Sequence, residues 1–305
     1  MRAVVIGQLW RRIAPGQLSR IERKLDHLLT VQKDVEKSVK LLERSQAFYL
    51  GDHTALTRLI NGRAIFVDTR DRGLGTRLLR GGLWEANVTP VFEKLVKPGS
   101  VVVDVGANLG YYSILAAHIA GPKGMVHAFE PNPRLYRLLN ESFRFNGYLK
   151  TRQVRAYRRA LWHERRAFTM RYLPGKLMQG SIFKHDEKDG AYAEARVIAV
   201  RLDDFLPDLV ADVIKIDVEG ADAQALYGME NTIARSPNVQ IIYEYTPREL
   251  TDFVPLDEFC QFLDRCGLKT FLINQRSKVV PIDRRGLEKV PKIATLLFAR
   301  QRPAI

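Results

Sequence analysis

Cysteine is nearly missing from this 305-residue chain; the two present, Cys260 and Cys266, stand six positions apart with no partners elsewhere. That excludes a disulfide framework and a zinc-ligand pattern, and a reducing, cytoplasmic setting is expected. No apolar run approaches the roughly 18 residues of a spanning helix, so no transmembrane segment is expected. The run Val4-Val5-Ile6 is too short for a signal-peptide core. With Trp10, Arg11 and Arg12 beside it, it would suit at most a peripheral membrane contact. Internal repeats and low-complexity tracts are absent, and so is the Gly-x-Gly-x-x-Gly turn that seats a pyrophosphate on a helix N-terminus.

What is present describes an ordinary globular chain. Apolar residues make up 46% and charged residues 27%, near the average for folded domains, which excludes a membrane bundle and a disordered chain. The length suits one catalytic domain with an extension. The net charge of +14 is unevenly placed: residues 134–171 hold eleven basic residues against Glu141 and Glu164. Such a block favours anionic partners through attraction that salt screens, or serves as a solvated face.

Between Leu18 and Tyr49, residues Leu18, Ile21, Leu25, Leu28, Val35, Val39 and Leu42 recur at alternating spacings of three and four, with Gln32 and Gln46 in register. This heptad seam predicts a helix able to pair with a second copy through residues 18–49, or to lie on its own domain. The N-terminal helical extension is assigned to residues 1–51 and the catalytic domain to 52–305. Strands are predicted at Ala64–Asp68, Val101–Val105, Met125–Phe129, Arg152–Ala160, Val213–Asp217, Val239–Tyr245, Thr270–Asn274 and Ala294–Ala299. Helices are predicted at Val88–Leu95, Tyr111–Ile119, Pro133–Phe145, Ala221–Ala234 and Leu256–Cys266. Their alternation predicts a doubly wound, mostly parallel α/β sheet. The stretch Leu173–Ala193, with Pro174, Gly175, Gly180 and Gly190, reads as a loop or insertion.

The chemistry gathers after the strand Val101–Val105. It runs into Gly106-Ala107-Asn108-Leu109-Gly110 and then a helix opened by Tyr111 and Tyr112. Ligands of parallel sheets bind beyond the strand ends where strand order reverses. Asp104 can accept hydrogen bonds from a cationic amine there. Glu130, at the end of the next strand, can accept both hydroxyls of a ribose. A turn spaced Gly-x-x-x-Gly with a carboxylate under it favours S-adenosylmethionine, which has an ammonium and a sulfonium and no phosphate, over a dinucleotide. Tyr111 and Tyr112 would shape the pocket or simply pack.

Four pieces stand in the order of a known family: Trp84-Glu85 with Thr89; Asp104-Val105-Gly106-Ala107-Asn108-Leu109-Gly110-Tyr111-Tyr112; Phe129-Glu130-Pro131-Asn132-Pro133; and Leu202-Asp203-Asp204 followed by Ile214-Lys215-Ile216-Asp217-Val218-Glu219-Gly220-Ala221. Over about Trp84–Tyr245 the chain resembles the FkbM methyltransferases. The resemblance implies a seven-stranded class I methyltransferase fold, Rossmann-like. It also implies S-adenosylmethionine as cofactor and methyl transfer to oxygen, commonly a hydroxyl of a sugar, glycan or secondary metabolite. Cofactor contacts are expected from Glu85, Asp104, Gly106, Asn108, Gly110, Glu130, Asn132 and Asp217, with the adenine near Ala160-Leu161. One departure is visible, Asp222 standing where the family usually has glutamate.

A hydroxyl needs a base within hydrogen-bond reach as it takes the methyl, and Asp217 and Glu219 are the candidates. They could instead hold the methionine end or, with Glu244, a divalent cation, though no spacing selects a metal and none is assigned. Ser181, His185 and Glu244 are the expected substrate contacts. Nucleic-acid methylation is an alternative that the basic block encourages, but no RNA-binding module or Asn-Pro-Pro-Tyr-like element supports it. A non-catalytic cofactor-binding scaffold is another.

Overall fold

The computed structural model describes residues 15–44, 47–173, 176–181, 192–248, 250, 254–290 and 292–303. The chain divides into two units, Met1–Gln46 and Ala47–Ile305. In the first, helix α1 (Pro15–Arg44) carries the predicted seam, and Ile21, Leu25, Leu28, Val35 and Val39 on it are exposed. The seam does not run to Tyr49 as one helix, because Phe48–Gly51 is extended and pairs as strand β1. Among the described residues no helix is long and apolar enough to cross a membrane.

The second unit opens with a small antiparallel sheet of β1, β2 (Thr54–Arg58) and β3 (Ala64–Asp68), then helices α2 (Leu74–Gly81) and α3 (Thr89–Leu95). The main sheet holds β4 (Val101–Val105), β5 (Met125–Phe129), β6 (Val154–Tyr157), β11 (Val213–Ile216), β12 (Gln240–Tyr245), β13 (Lys269–Ile273), β14 (Val279–Pro281) and β15 (Ala294–Ala299), ordered β14-β13-β15-β12-β11-β4-β5-β6. Strands β6, β5, β4, β11 and β12 are parallel neighbours, and β15 runs antiparallel to both β12 and β13. The count is eight where seven were expected, since the short β14 adds antiparallel pairs to the edge strand β13.

Both faces of the sheet are covered, which is why β4 and β11 are apolar apart from Asp104 and Lys215. Val102, Val126, Val213 and Ile242 point to one face, packed with α4 (Tyr111–Ala120) and α5 (Pro133–Phe145). Val103, Phe129, Ile214 and Ile241 point to the other, packed with α6 (Asp222–Tyr227), α7 (Glu230–Arg235) and α8 (Leu256–Arg265). Eight of the ten residues of α4 are buried, so this helix shows no amphipathic stripe. Helix α5 starts where Asn132 caps it, accepting from the backbone N–H of Arg134 and Leu135, with Pro133 at the first turn.

Three boundaries differ from expectation. The single helix over Ala221–Ala234 is two, because a Cβ at Gly228 would sit 2.2 Å from the carbonyl oxygen of Trp162 and the chain bends there to pass it. The strand over Arg152–Ala160 splits: β6 ends at Tyr157, and Arg158-Arg159 carry the chain into a second sheet at β7 (Ala160–Leu161). That sheet, ordered β7-β10-β8-β9, includes β8 (Arg166–Leu173), β9 (Lys176–Ser181) and β10 (Ala193–Val200). Part of the expected loop Leu173–Ala193 is therefore a strand. Residues 182–191, His185 among them, lie outside the described residues.

Candidate active site

Strand β4 delivers its chain to a cleft beyond the strand ends, lined by Asp104, Gly106, Asn108, Glu130, Asn132, Tyr112, Lys215, Asp217 and Glu219, with Trp84, Leu74 and Met170. Gly106 makes this possible. Its φ is +80°, and a Cβ would stand 1.9 Å from the backbone oxygen of Asp217, so only glycine lets the turn cross the tip of β11 this closely. Gly110 serves differently: a Cβ there would meet Leu139 of α5 at 2.4 Å, so it brings two helices together and does not face the cleft as expected. A second, apolar slot shares Gly106, Pro131, Met170, Val218 and Glu219 with the cleft and continues along Ala160, Leu161, Trp162 and Phe168.

Two buried carboxylates stand at neighbouring strand ends. Glu130 accepts backbone N–H groups from Asn108 and Asn132, each at 2.8 Å, and thereby ties the glycine turn to the start of α5. Burial pushes its pKa up to about 7, against the pull of those two N–H groups. Asp104, 2% exposed, accepts from the Ser113 hydroxyl at 2.5 Å. Burial raises its pKa to about 6, opposed by Ser113 and by the charge of Lys215. Both groups sit near their titration points at neutral pH, so a cationic ligand would favour their ionised forms.

Lys215 is the surprise of the site. It is 1% exposed on the central strand, its Nζ lies 2.8 Å from Asp217 Oδ2 and 4.0 Å from Glu85 Oε2, and it stands 5.1 Å from the Tyr112 ring centroid. Burial alone would lower its pKa; Asp217 and then Glu85 outweigh burial and hold the ammonium charged. Tyr112 in turn donates its hydroxyl to Glu85 at 2.5 Å, and burial followed by the Glu85 charge raises the phenol well above its ordinary value. Among the described residues no group of three His, Cys, Asp or Glu side chains converges on a cation site.

The other expected residues fall at varied distances from this centre. Strand β11 ends at Ile216, so Glu219 reaches the cleft through a turn with φ +53° and not by strand alternation. Asp222 accepts from the backbone N–H of Val218 at 3.1 Å and Gly220 at 3.2 Å; the shorter carboxylate closes this turn. Burial and then the Asp217 charge raise it to about 7. Glu244 lines a separate small cavity with Gly220, Asp222 and Tyr243, and burial, then the Asp217 charge, raise its pKa well above the ordinary carboxylate range. Glu85, at φ +40°, acts through Tyr112 and Lys215. The backbone of Ser181 in β9 pairs with that of Arg171.

Sequence reasoning missed Trp162, Met170 and the Thr89–Tyr111 contact at 3.0 Å. Trp162 belongs to no motif, yet its Nε1 is buried without a partner, as are Asn108 Oδ1 and Asn132 Nδ2. The basic block is also less free than its sequence suggests. Arg134 pairs with Asp68 and Asp52, Arg137 with Asp52, Arg144 with Glu141, Arg166 with Glu164, and Arg171 with Glu194.

A model of the FkbM methyltransferase domain matches residues 104–269, more than half of the chain. Methyltransferase sdnD of Sordaria araneosa is 27% identical over 158 residues, covering 42% of this chain and 60% of that protein. The 31-O-demethyl-FK506 methyltransferase FkbM of Streptomyces tacrolimicus is 55% identical over 38 residues, covering 12% of this chain and 14% of that protein. The chain thus spans less than two thirds of the length of either relative. A crystal structure of methyltransferase FkbM from Methylobacillus flagellatus KT aligns with a TM-score of 0.42 at 17% identity, over 65% of this chain and 43% of that one.

Proposed function

The chain belongs to the FkbM methyltransferase domain family, and from that premise we propose that it moves a methyl group from S-adenosylmethionine to a hydroxyl of a sugar, glycan or secondary metabolite. When bound, the cofactor supplies an electrophilic methyl on a cationic sulfur. The observation that carries the reading is the set of unpartnered buried atoms along the cleft and slot: Asn108 Oδ1, Asn132 Nδ2 and Trp162 Nε1, next to the carboxylates of Glu130 and Asp104. An unpaired buried polar atom costs about 1–3 kcal/mol, and a ribonucleoside brings groups that would satisfy each of these.

Glu130 accepts the ribose hydroxyls in this reading, and Asp104 faces the ammonium. The slot over Ala160–Leu161 takes the purine, with Trp162 Nε1 donating to a ring nitrogen. Asp217 takes the proton of the acceptor hydroxyl; Lys215 holds its Oδ2 and leaves Oδ1 for that bond, with Glu219 as the second candidate. Transfer to oxygen is supported by the name of the Streptomyces relative, which specifies an O-demethyl acceptor. Ser181, His185 and Glu244 remain proposed acceptor contacts.

The test is incubation with methyl-labelled cofactor and fractionated extract. Label entering a base-stable hydroxyl ether on a glycan or small molecule is expected; label confined to RNA or protein would overturn the acceptor class. The exposed seam of α1 is proposed to pair with a second copy. Sedimentation of the full chain against one lacking residues 1–46 tests this, an unchanged association state ruling it out.

A further inference from the structure

Strand β10 has two working faces, because successive side chains alternate. Val197 lines the apolar slot and Ala199 packs with Trp162. Ile198 and Val200 point the other way and, with Phe205, floor a groove of about 320 Å³ rimmed by Arg159, Arg165 and Arg201 against a single carboxylate, Asp204. Ile198 is 37% exposed on that floor. Arg201 reaches Asp203 Oδ2 at 3.3 Å, but that carboxylate is already taken by the backbone N–H groups of Asn231 and Thr232 and the Thr232 hydroxyl. Arg159 donates to the carbonyl of Arg158, and neither it nor Arg165 has an acidic partner within 4 Å among the described residues.

Three guanidinium groups around one depression repel one another unless an anion sits among them. Arg159 and Arg165 thus differ from the five arginines of the same block that are paired within the chain. Guanidinium forks match phosphate oxygens in pairs, and an apolar floor suits the body of the molecule that carries the phosphate. The volume lies in the range of small-ligand sites. We propose that this groove is a second binding site, for a small phosphate-bearing molecule whose phosphate is held by Arg159, Arg165 and Arg201 and whose body rests on Ile198, Val200 and Phe205. Arg159 also lines the purine slot, so the two sites are neighbours. The groove stands independently of the methyl-transfer reading, since Arg165 and Arg201 border neither the cleft nor the slot.

Calorimetry with inorganic pyrophosphate, uridine diphosphate and uridine tests it, each with and without saturating S-adenosylhomocysteine. Uridine diphosphate and pyrophosphate are expected to bind in both conditions and uridine not to bind. Arg165→Glu and Arg159→Gln should each weaken uridine diphosphate at least tenfold. Arg144→Glu, an exposed arginine elsewhere in the block, should leave it within twofold. S-adenosylhomocysteine affinity in Arg165→Glu should match wild type, which keeps failure here distinct from failure of the cofactor assignment. Absence of binding at millimolar phosphate ligand would overturn the site. So would displacement by S-adenosylhomocysteine, equal loss in Arg144→Glu, or binding only to phosphatidylglycerol vesicles.

Discussion

Replacing Glu130 by glutamine tests the cofactor assignment at its most exposed point. The carboxylate is anchored by two backbone N–H groups at 2.8 Å, leaving a lone pair on each oxygen for the ribose. Bonds to a charged acceptor contribute about 1.5–3 kcal/mol against about 0.5–1.5 for a neutral one, so two of them lose roughly 2–3 kcal/mol, on the order of 30- to 150-fold in affinity. The glutamine NH2 must also face one of the two backbone N–H groups, so the turn loses one bond and the melting temperature should fall slightly. Because burial lifts the Glu130 pKa to about 7, wild-type affinity for S-adenosylhomocysteine should rise as pH climbs through 7, by about tenfold between pH 6 and 8. The sign for stability is opposite. A folded pKa raised above the unfolded value gives stability that is full below the ordinary carboxylate range and lost as pH approaches 7, so the ligand-free protein should melt lower at pH 8 than at pH 5. Calorimetry on both proteins at both pH values decides the matter. A glutamine variant binding within threefold of wild type at pH 8, or keeping the same pH slope, refutes the ribose role.

Asp217→Asn should lower kcat by roughly 10²–10⁴ while S-adenosylhomocysteine affinity changes less than about fivefold; an unaffected kcat sinks the base assignment. Lys215→Met removes the one ammonium buried among Asp217, Glu85 and Glu244. Urea unfolding at pH 7.5 should show a loss of about 3–5 kcal/mol, and a loss under about 1 would contradict the network. Gly106→Ala forces a Cβ into the Asp217 backbone at φ +80°; soluble protein with normal cofactor affinity would show that the turn tolerates what the geometry forbids. Trp162→Phe keeps the ring and drops the orphan N–H. It should weaken S-adenosylhomocysteine by about 2- to 10-fold, and equal affinity would remove the adenine contact.

Much of this site is local in origin and therefore legible from the chain itself. The run Val101–Val105, its glycine turn and helix α4 follow one another without long-range help, and α5 spans Pro133–Phe145 as its periodicity predicts. Two carboxylates at successive strand ends had to meet, since strands β4 and β5 are parallel neighbours joined by one helix.

What only the tertiary structure decided depends on groups far apart in sequence. The bend at Gly228 answers to the carbonyl of Trp162, and Arg134 leaves the basic face for Asp68, on strand β3. Sequence spacing puts Asp217 two residues past Lys215, just beyond the end of β11, but the charge of Lys215 survives there because Asp217 and Glu85, the latter from before the first strand of the main sheet, close around it. A pattern of residues can specify the period and the turn. The field inside a buried pocket is summed over everything packed against it, and that sum exists only once the chain is folded.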